Sequence, residues 1–184
     1  MNDLSPEELM LAYIEGDANA FDQLYRRLGP QLFAYLVRLT RDRPRAEDLL
    51  QVTFTKLHRA RASYLRGAPV LPWVLAIARR SFLDERRSAK SRSEDLSPDG
   101  SLPEPKRVDE SGAEDMADAV DRALDQLPET YREAIQLTKI VGLSLVEAAD
   151  VLDTTPTAVK LRVHRGYTLL RDSLQHLQRT NDVH

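Results

Sequence analysis

Apolar residues along this chain recur at intervals of three and four, and the interruptions of that rhythm divide it into helices. Ser5-Pro6-Glu7-Glu8 offers an N-cap, a proline for the first helical position and a capping-box glutamate, so a helix is predicted from there to Glu15, stopped by Gly16. Asp17 caps the next. In it Ala20, Phe21, Leu24, Tyr25 and Leu28 form a packing stripe, Gly29-Pro30 breaks it, and Leu32, Phe33, Leu36, Val37 and Leu39 resume it. After a turn at Arg41-Asp42-Arg43-Pro44, a long helix is expected from about Arg45 to Ala60. It turns Leu49, Leu50, Phe54 and Leu57 inward and leaves Glu47, Asp48, Gln51, Thr55 and Lys56 for solvent or a partner. Ser63 to Pro69 reads as a loop. A helix follows from Pro72, with Trp73 at its start, Val74, Ile77, Ala78 and Phe82 inward, and Arg79, Arg80, Arg86 and Arg87 outward.

From Ser88 to about Glu114 the periodicity stops, and Ser, Pro, Gly and acids take over, as in a linker. The helix signal returns at Asp115 with Met116, Val120, Ala123 and Leu124, pauses at Leu127-Pro128, and runs again from Glu129 to Val141. Between Gly142 and Arg171 the pattern is that of two short helices joined by a tight turn. Ser144 and Glu147 make a capping box, Leu143 can staple against Ala148, and Ala148, Ala149 and Leu152 give a small-residue inner face. Asp153-Thr154 supplies the turn, Thr155 a second N-cap, and Pro156 the first position of the second helix. There Val159, Val163, Gly166 and Leu170 fall on one side, continued by Leu174 and Leu177. Thr157, Lys160, Leu161, His164, Arg165, Thr168 and Arg171 fall on the other.

Composition narrows the class. Hydrophobic residues make up 42% of the 184, enough for helical cores, whereas 7 glycines and 6% aromatics disfavour a β-rich fold. The expected fold is all-α, with two small helical domains at 1–92 and 115–184 and a linker at 93–114. Cysteine is absent, so disulfides, thiolate metal sites and thiol switches are excluded. The longest apolar run, Ala68 to Ala78, is broken by two prolines and falls short of the roughly 20 residues a membrane span needs. The acidic start does not resemble a secretory signal, and a cytoplasmic location without membrane insertion is expected.

A net charge of −3 hides a segregated pattern. Residues 1–22 hold six acids and no Lys or Arg, residues 58–92 carry a net +7, and residues 94–125 a net −8. From Pro156 to Arg171 there are four Lys/Arg and no acid. Basic patches separated by an acidic strap point to two nucleic-acid contacts on one chain. The cationic, hydroxyl-bearing side of the second helix suits a major groove, where Arg and Lys read guanine edges and other groups hold phosphates. Tyr64, Arg66 and Trp73 beside Arg79 and Arg80 suit melted strands, since bases stack on rings while guanidinium groups hold phosphates. An enzyme finds little support: His58, His164, His176 and His184 have no metal-ligand spacing, and there is no phosphate-cradling glycine loop or Ser-His-acid arrangement. No catalytic residue, metal or cofactor is expected. A two-domain helix-turn-helix regulator of duplex DNA, with a ligand-sensing N-terminal half, is the competing reading. The basic 58–92 region speaks against it.

Residues 5–87, the acidic linker and the stretch from Leu127 to Gly166 closely resemble a bacterial extracytoplasmic-function sigma factor of the sigma-70 family, the smallest type, with only sigma regions 2 and 4. The resemblance implies a subunit that binds core RNA polymerase, recognises minus-35 and minus-10 promoter elements, melts DNA to initiate transcription of a regulon, and is held inactive by an anti-sigma factor. Asp48 and Gln51 match its polymerase-clamp-binding helix, on the face that also carries Val52, where the family has an acid, and Thr55. Tyr64 and the loop to Val70, including Arg66, match the segment that captures a flipped minus-10 base. Trp73, Ile77, Arg80, Ser81, Asp84 and Arg87 match the helix after it, with Arg80 where Asn is common. Thr157, Lys160, Leu161, His164 and Arg165 match the minus-35-reading helix, with Leu161 in place of a small polar residue. The linker, in family terms, threads a channel built to hold RNA.

Overall fold

The computed structural model describes residues 4–96 and 116–181, and among them the chain is all-helical, with eight α-helices and no strand. Two compact units divide these helices, α1 to α4 in one and α5 to α8 in the other. Of the linker read at 93–114, residues 97–114 lie outside the described residues.

In the first unit α1 (Pro6–Ile14) starts on the capping box: the Ser5 hydroxyl accepts the Glu8 amide at 3.2 Å, and Glu8 accepts the Ser5 amide at 2.7 Å. Gly16 follows at φ +107°, a conformation that other residues rarely adopt. Asp17 caps α2 (Ala18–Thr40) by accepting the Asn19 amide at 2.9 Å. Contrary to the expected break, α2 runs unbroken through Pro30. The steric reason is local. A proline ring clashes with the Cβ of the residue before it, and Gly29 has none. The Arg26 carbonyl that Pro30 cannot bond belongs to an exposed residue, so water can serve it. Buried Leu24, Leu28, Leu32 and Leu36 on both sides of the proline then hold the helix as one piece.

Arg41, left-handed at φ +55°, ends α2, and Asp42 starts α3 (Arg43–Ala60) by accepting the Arg45 amide at 3.1 Å. The inward side of α3 is Ala46, Leu49, Leu50, Thr53, Phe54 and Leu57. Thr53 is accommodated because its hydroxyl donates to the Leu49 carbonyl at 2.7 Å. Phe54 receives the Tyr25 ring at 4.6 Å and the edge of Phe21 at 6.0 Å, joining α2 to α3. A single 3-10 turn, Arg61–Ser63, leads through a loop to α4 (Val70–Leu96), which buries Val70, Val74, Leu75, Ala78 and Phe82. This helix starts two residues before Pro72 and continues past Ser88, where periodicity fades. Good helix formers such as Ala89, Lys90, Arg92 and Glu94 extend it without an apolar stripe to signal the continuation.

In the second unit α5 (Met116–Asp125) and α6 (Glu129–Ile135) are separated by Leu127-Pro128. The segment expected to stay helical to Val141 widens instead into a π-helical turn, Gln136–Ile140, closed by the Val141 amide on the Gln136 carbonyl at 2.9 Å. Then come α7 (Leu145–Leu152) and α8 (Pro156–Asn181). Ala123, Leu124, Leu127, Ile135 and Leu170 form the core. At the crossing of α6 and α8 a side chain on residue 166 would put its Cβ 2.7 Å from Ile135 Cδ1 and 3.3 Å from Tyr131 Cβ. Glycine at 166 is what lets the two helices meet.

Candidate nucleic-acid interface

The α7–α8 pair is built almost wholly from local signals. The Ser144 hydroxyl accepts the Glu147 amide at 3.2 Å and Glu147 accepts the Ser144 amide at 2.8 Å. Asp153 at φ +51° makes the turn, and the Thr155 hydroxyl accepts the Ala158 amide at 3.2 Å to begin α8. Val159, Val163, Gly166 and Leu170 are buried against the rest of the unit. Thr157, Lys160, Leu161, His164 and Arg165 are exposed, and their spacing aligns them along a single face. All five residues read from sequence are therefore together on the second helix of a helix-turn-helix. Leu161, 47% exposed, is an apolar spot in a cationic surface.

In the first unit the loop after α3 is shaped from within. Tyr64 is only 6% exposed, its hydroxyl donates to the Ala68 carbonyl, and its ring lies 5.3 Å from that of Trp73. Burial first, and the Glu7 carboxylate second, push the Tyr64 hydroxyl above the ordinary tyrosine range. The ring thus props the loop from below, while Leu65, 75% exposed, and Arg66 form its outer surface. Two acids of the N-terminal segment hold the loop from the other side. Glu7 accepts the Val70 amide at 3.1 Å, and Glu15 lies 3.5 Å from Arg66. Sequence reasoning missed both acids and Leu65. The acidity of residues 1–22 was visible, but nothing local says where those carboxylates go.

Trp73, Ile77, Arg80, Asp84 and Arg87 follow one another at helical spacing along α4, Trp73 and Ile77 half-buried and the other three exposed. Arg79 stands one residue off this line, half-buried. Ser81 faces inward, its hydroxyl donating to the Ile77 carbonyl at 2.8 Å. Asp84 is matched by Lys56 of α3 at 3.7 Å and by Arg87 at 4.0 Å, so its negative charge is screened within a basic surface. On α3, Asp48, Gln51, Val52 and Thr55 are exposed along one strip opposite Leu49, Leu50, Phe54 and Leu57. Val52 is 42% exposed, which makes that strip partly apolar. Among the described residues no group of three or more His, Asp or Glu is placed to hold a metal ion, and no helix is long and apolar enough to cross a membrane.

A helix-turn-helix with a cationic reading face, and a separate four-helix unit with an aromatic loop beside an arginine-lined helix, define a protein that touches DNA at two places. Residues 24–92 match the Sigma-70 region 2 family, and residues 117–170 match Sigma-70 region 4. The chain is 34% identical to the RNA polymerase sigma factor CarQ of Myxococcus xanthus, over 92% of this chain and 97% of CarQ. It is 34% identical to the ECF RNA polymerase sigma factor SigM of Mycobacterium tuberculosis, over 94% of this chain and 86% of SigM. Among solved structures it is similar to the sigma factor RpoE, in complex with the anti-sigma factor NepR, from Bartonella quintana. That likeness has a TM-score of 0.74 at 28% identity and covers 86% of this chain and 98% of RpoE. The chain belongs to the extracytoplasmic-function RNA polymerase sigma factors of the sigma-70 family. It is a DNA-binding transcription-initiation factor that works with core RNA polymerase and promoter DNA.

Proposed function

We propose that the work of initiation is divided between the two units, residues 1–92 and 115–184, with 93–114 as the link. The α3 strip of Asp48, Gln51, Val52 and Thr55 docks on the polymerase clamp. Val52 replaces a charge there, so docking relies more on apolar contact than an acid would allow. The loop and the α4 line, with Tyr64, Arg66, Trp73, Ile77, Arg79, Arg80, Asp84 and Arg87, engage the minus-10 element. Capture of an unpaired base offsets part of an unstacking cost of a few kcal/mol and traps the open state. The α8 face of Thr157, Lys160, Leu161, His164 and Arg165 reads the minus-35 element. The chain carries no catalytic residue of its own in this reading, since bond formation belongs to the polymerase. Its place of action is the cytoplasm, and an anti-sigma factor controls it, as the complex of the Bartonella relative with NepR suggests.

The observation that carries this reading is the continuity of the Tyr64–Trp73 pair with the exposed Arg80, Asp84 and Arg87 line on the same helix. A regulator of duplex DNA has no use for an aromatic loop leading into such a line. Run-off transcription with purified core polymerase on a library of promoter fragments tests it. Start-site-specific transcripts that need both chain and core are expected. Sequence-specific duplex binding by the chain alone, with no transcript, would favour the regulator.

A further inference from the structure

Between the C-terminal half of α3 and the exposed side of α4 lies a groove of about 430 Å³, lined by Lys56, Arg59 and Ala60 from one helix and Ile77, Arg80 and Asp84 from the other. That volume is within the roughly 300–1,000 Å³ of sites that hold small ligands or parts of larger ones. Its charges are unevenly matched. Asp84, the only acid of the lining, already has Lys56 at 3.7 Å and Arg87 at 4.0 Å. Arg59 and Arg80 are exposed and make no ion pair among the described residues. Two unmatched guanidinium groups therefore flank a floor of Ala60 and Ile77. A small free anion would need the cations but not the apolar floor. A nucleotide within a strand needs both, because its phosphate seeks the guanidinium groups while its sugar and base edge lie on carbon.

We propose that this groove seats the sugar-phosphate backbone of promoter DNA beside the base met by Arg80, with Arg59 and Lys56 of α3 as the phosphate grip. The DNA surface then extends from α4 onto α3, next to the strip with which the same helix meets the polymerase. The proposal rests on the reading that the α4 line faces the minus-10 element. Lys56 has a second part in it. When a phosphate arrives, Lys56 exchanges the Asp84 carboxylate for the phosphate, and Asp84 becomes free to accept a hydrogen bond, for which the cytosine amino group is the matching base-edge donor. A lysine suits this exchange because its ammonium is a point charge on a flexible stem and not a fixed fork.

The test uses the full chain assembled with core polymerase, and measures promoter affinity as a function of salt for Arg59→Ala, Lys56→Ala, Arg80→Ala and the distant control Arg43→Ala. Each phosphate contact removed lowers the slope of log affinity against log salt by about one unit. Arg59→Ala and Lys56→Ala are expected to show that loss on every promoter without changing base preference, and Arg59→Lys to restore most of it. Ala60→Glu, which puts a carboxylate on the floor, should weaken binding at least tenfold at low salt and less at high salt. Melting curves by circular dichroism should overlay the parent. If Arg80→Ala changes slope or base preference but Arg59→Ala and Lys56→Ala leave both untouched, the groove proposal fails and the α4 reading stands. If none of the three has any effect while the holoenzyme still initiates, both fail. Loss of core binding in a pull-down, with an unchanged slope for the holoenzyme that forms, would make the groove a polymerase contact and overturn the proposal.

Discussion

The Glu7 carboxylate accepts the Val70 amide at 3.1 Å, so an acid of α1 caps the start of α4 from 63 residues away. The first amides of a helix have no partner within it, and a negative charge there is favourable. Here the group comes from another helix, which makes α1 a support for the loop that leads into α4. Glu7→Ala is expected to lower stability by about 1 kcal/mol, the usual cost of a lost cap. It should slow promoter opening more than core binding. Glu7→Gln keeps an acceptor oxygen and should recover most of the opening rate. Permanganate reactivity on duplex and pre-melted promoters measures this, and an equal defect of both variants on both templates would remove Glu7 from the loop's support.

Tyr64 gives a pH dependence of known sign. Its hydroxyl is pushed above the ordinary value of 10.0, first by burial and second by Glu7. In the unfolded chain the proton leaves at the ordinary pH, whereas in the folded chain it stays. The stability present below pH 10 is therefore lost as pH rises through the folded value. Trp73, the only tryptophan of the chain and 5.3 Å from the Tyr64 ring, reports on this locally. The denaturation midpoint followed by its emission should be flat near neutrality and fall above about pH 10. Tyr64→Phe should be less stable throughout, having lost its bond to Ala68, and its alkaline fall should be shallower. The remaining fall belongs to Tyr13, whose hydroxyl burial also raises.

On α8 the exposed residues should separate by phenotype, because base-edge contacts discriminate sequences and phosphate contacts do not. Lys160 and Leu161 lie near the helix start, where recognition helices usually meet bases. Leu161→Ser is expected to change preference at one minus-35 position by roughly 1 kcal/mol, the scale of a single mismatch. Arg165→Ala should weaken all promoters alike and reduce the salt slope by about one unit. Binding selections with both variants would show whether the helix is rotated otherwise in the groove, in which case the two phenotypes exchange.

Asp48→Lys should abolish capture of core polymerase in a pull-down. Asp48 is exposed, and surface substitutions usually shift stability by no more than about 0.5 kcal/mol, so the melting curve should hardly move. Undiminished capture would count against the α3 strip as the docking face.

What could be read in advance was what neighbouring residues decide among themselves. The capping boxes at Ser5/Glu8 and Ser144/Glu147, the turn at Asp153 and the two sides of α8 depend on spacings of a few residues, and all stand as expected. Packing decided the rest. Pro30 reads as a break until buried leucines on both sides hold α2 together, and Tyr64 reads as the mouth of a loop until its ring turns under to Trp73. Glu7 with Val70 and Lys56 with Asp84 join residues from different helices, and no local pattern announces such pairs.

Gly166 sets a rule for anyone who would retarget this chain. The outer side of α8 carries no packing duty, so its residues can be exchanged to seek a new minus-35 element without disturbing the fold. On the inner side the tolerance ends abruptly: a single methyl at 166 meets Ile135 at 2.7 Å and would wedge α8 away from α6. Such a wedge would tilt every outer residue at once, and a library that varies 166 together with the reading positions would scramble aim with choice. Keeping that glycine separates the two, so that a change in promoter preference can be ascribed to the side chain that was changed.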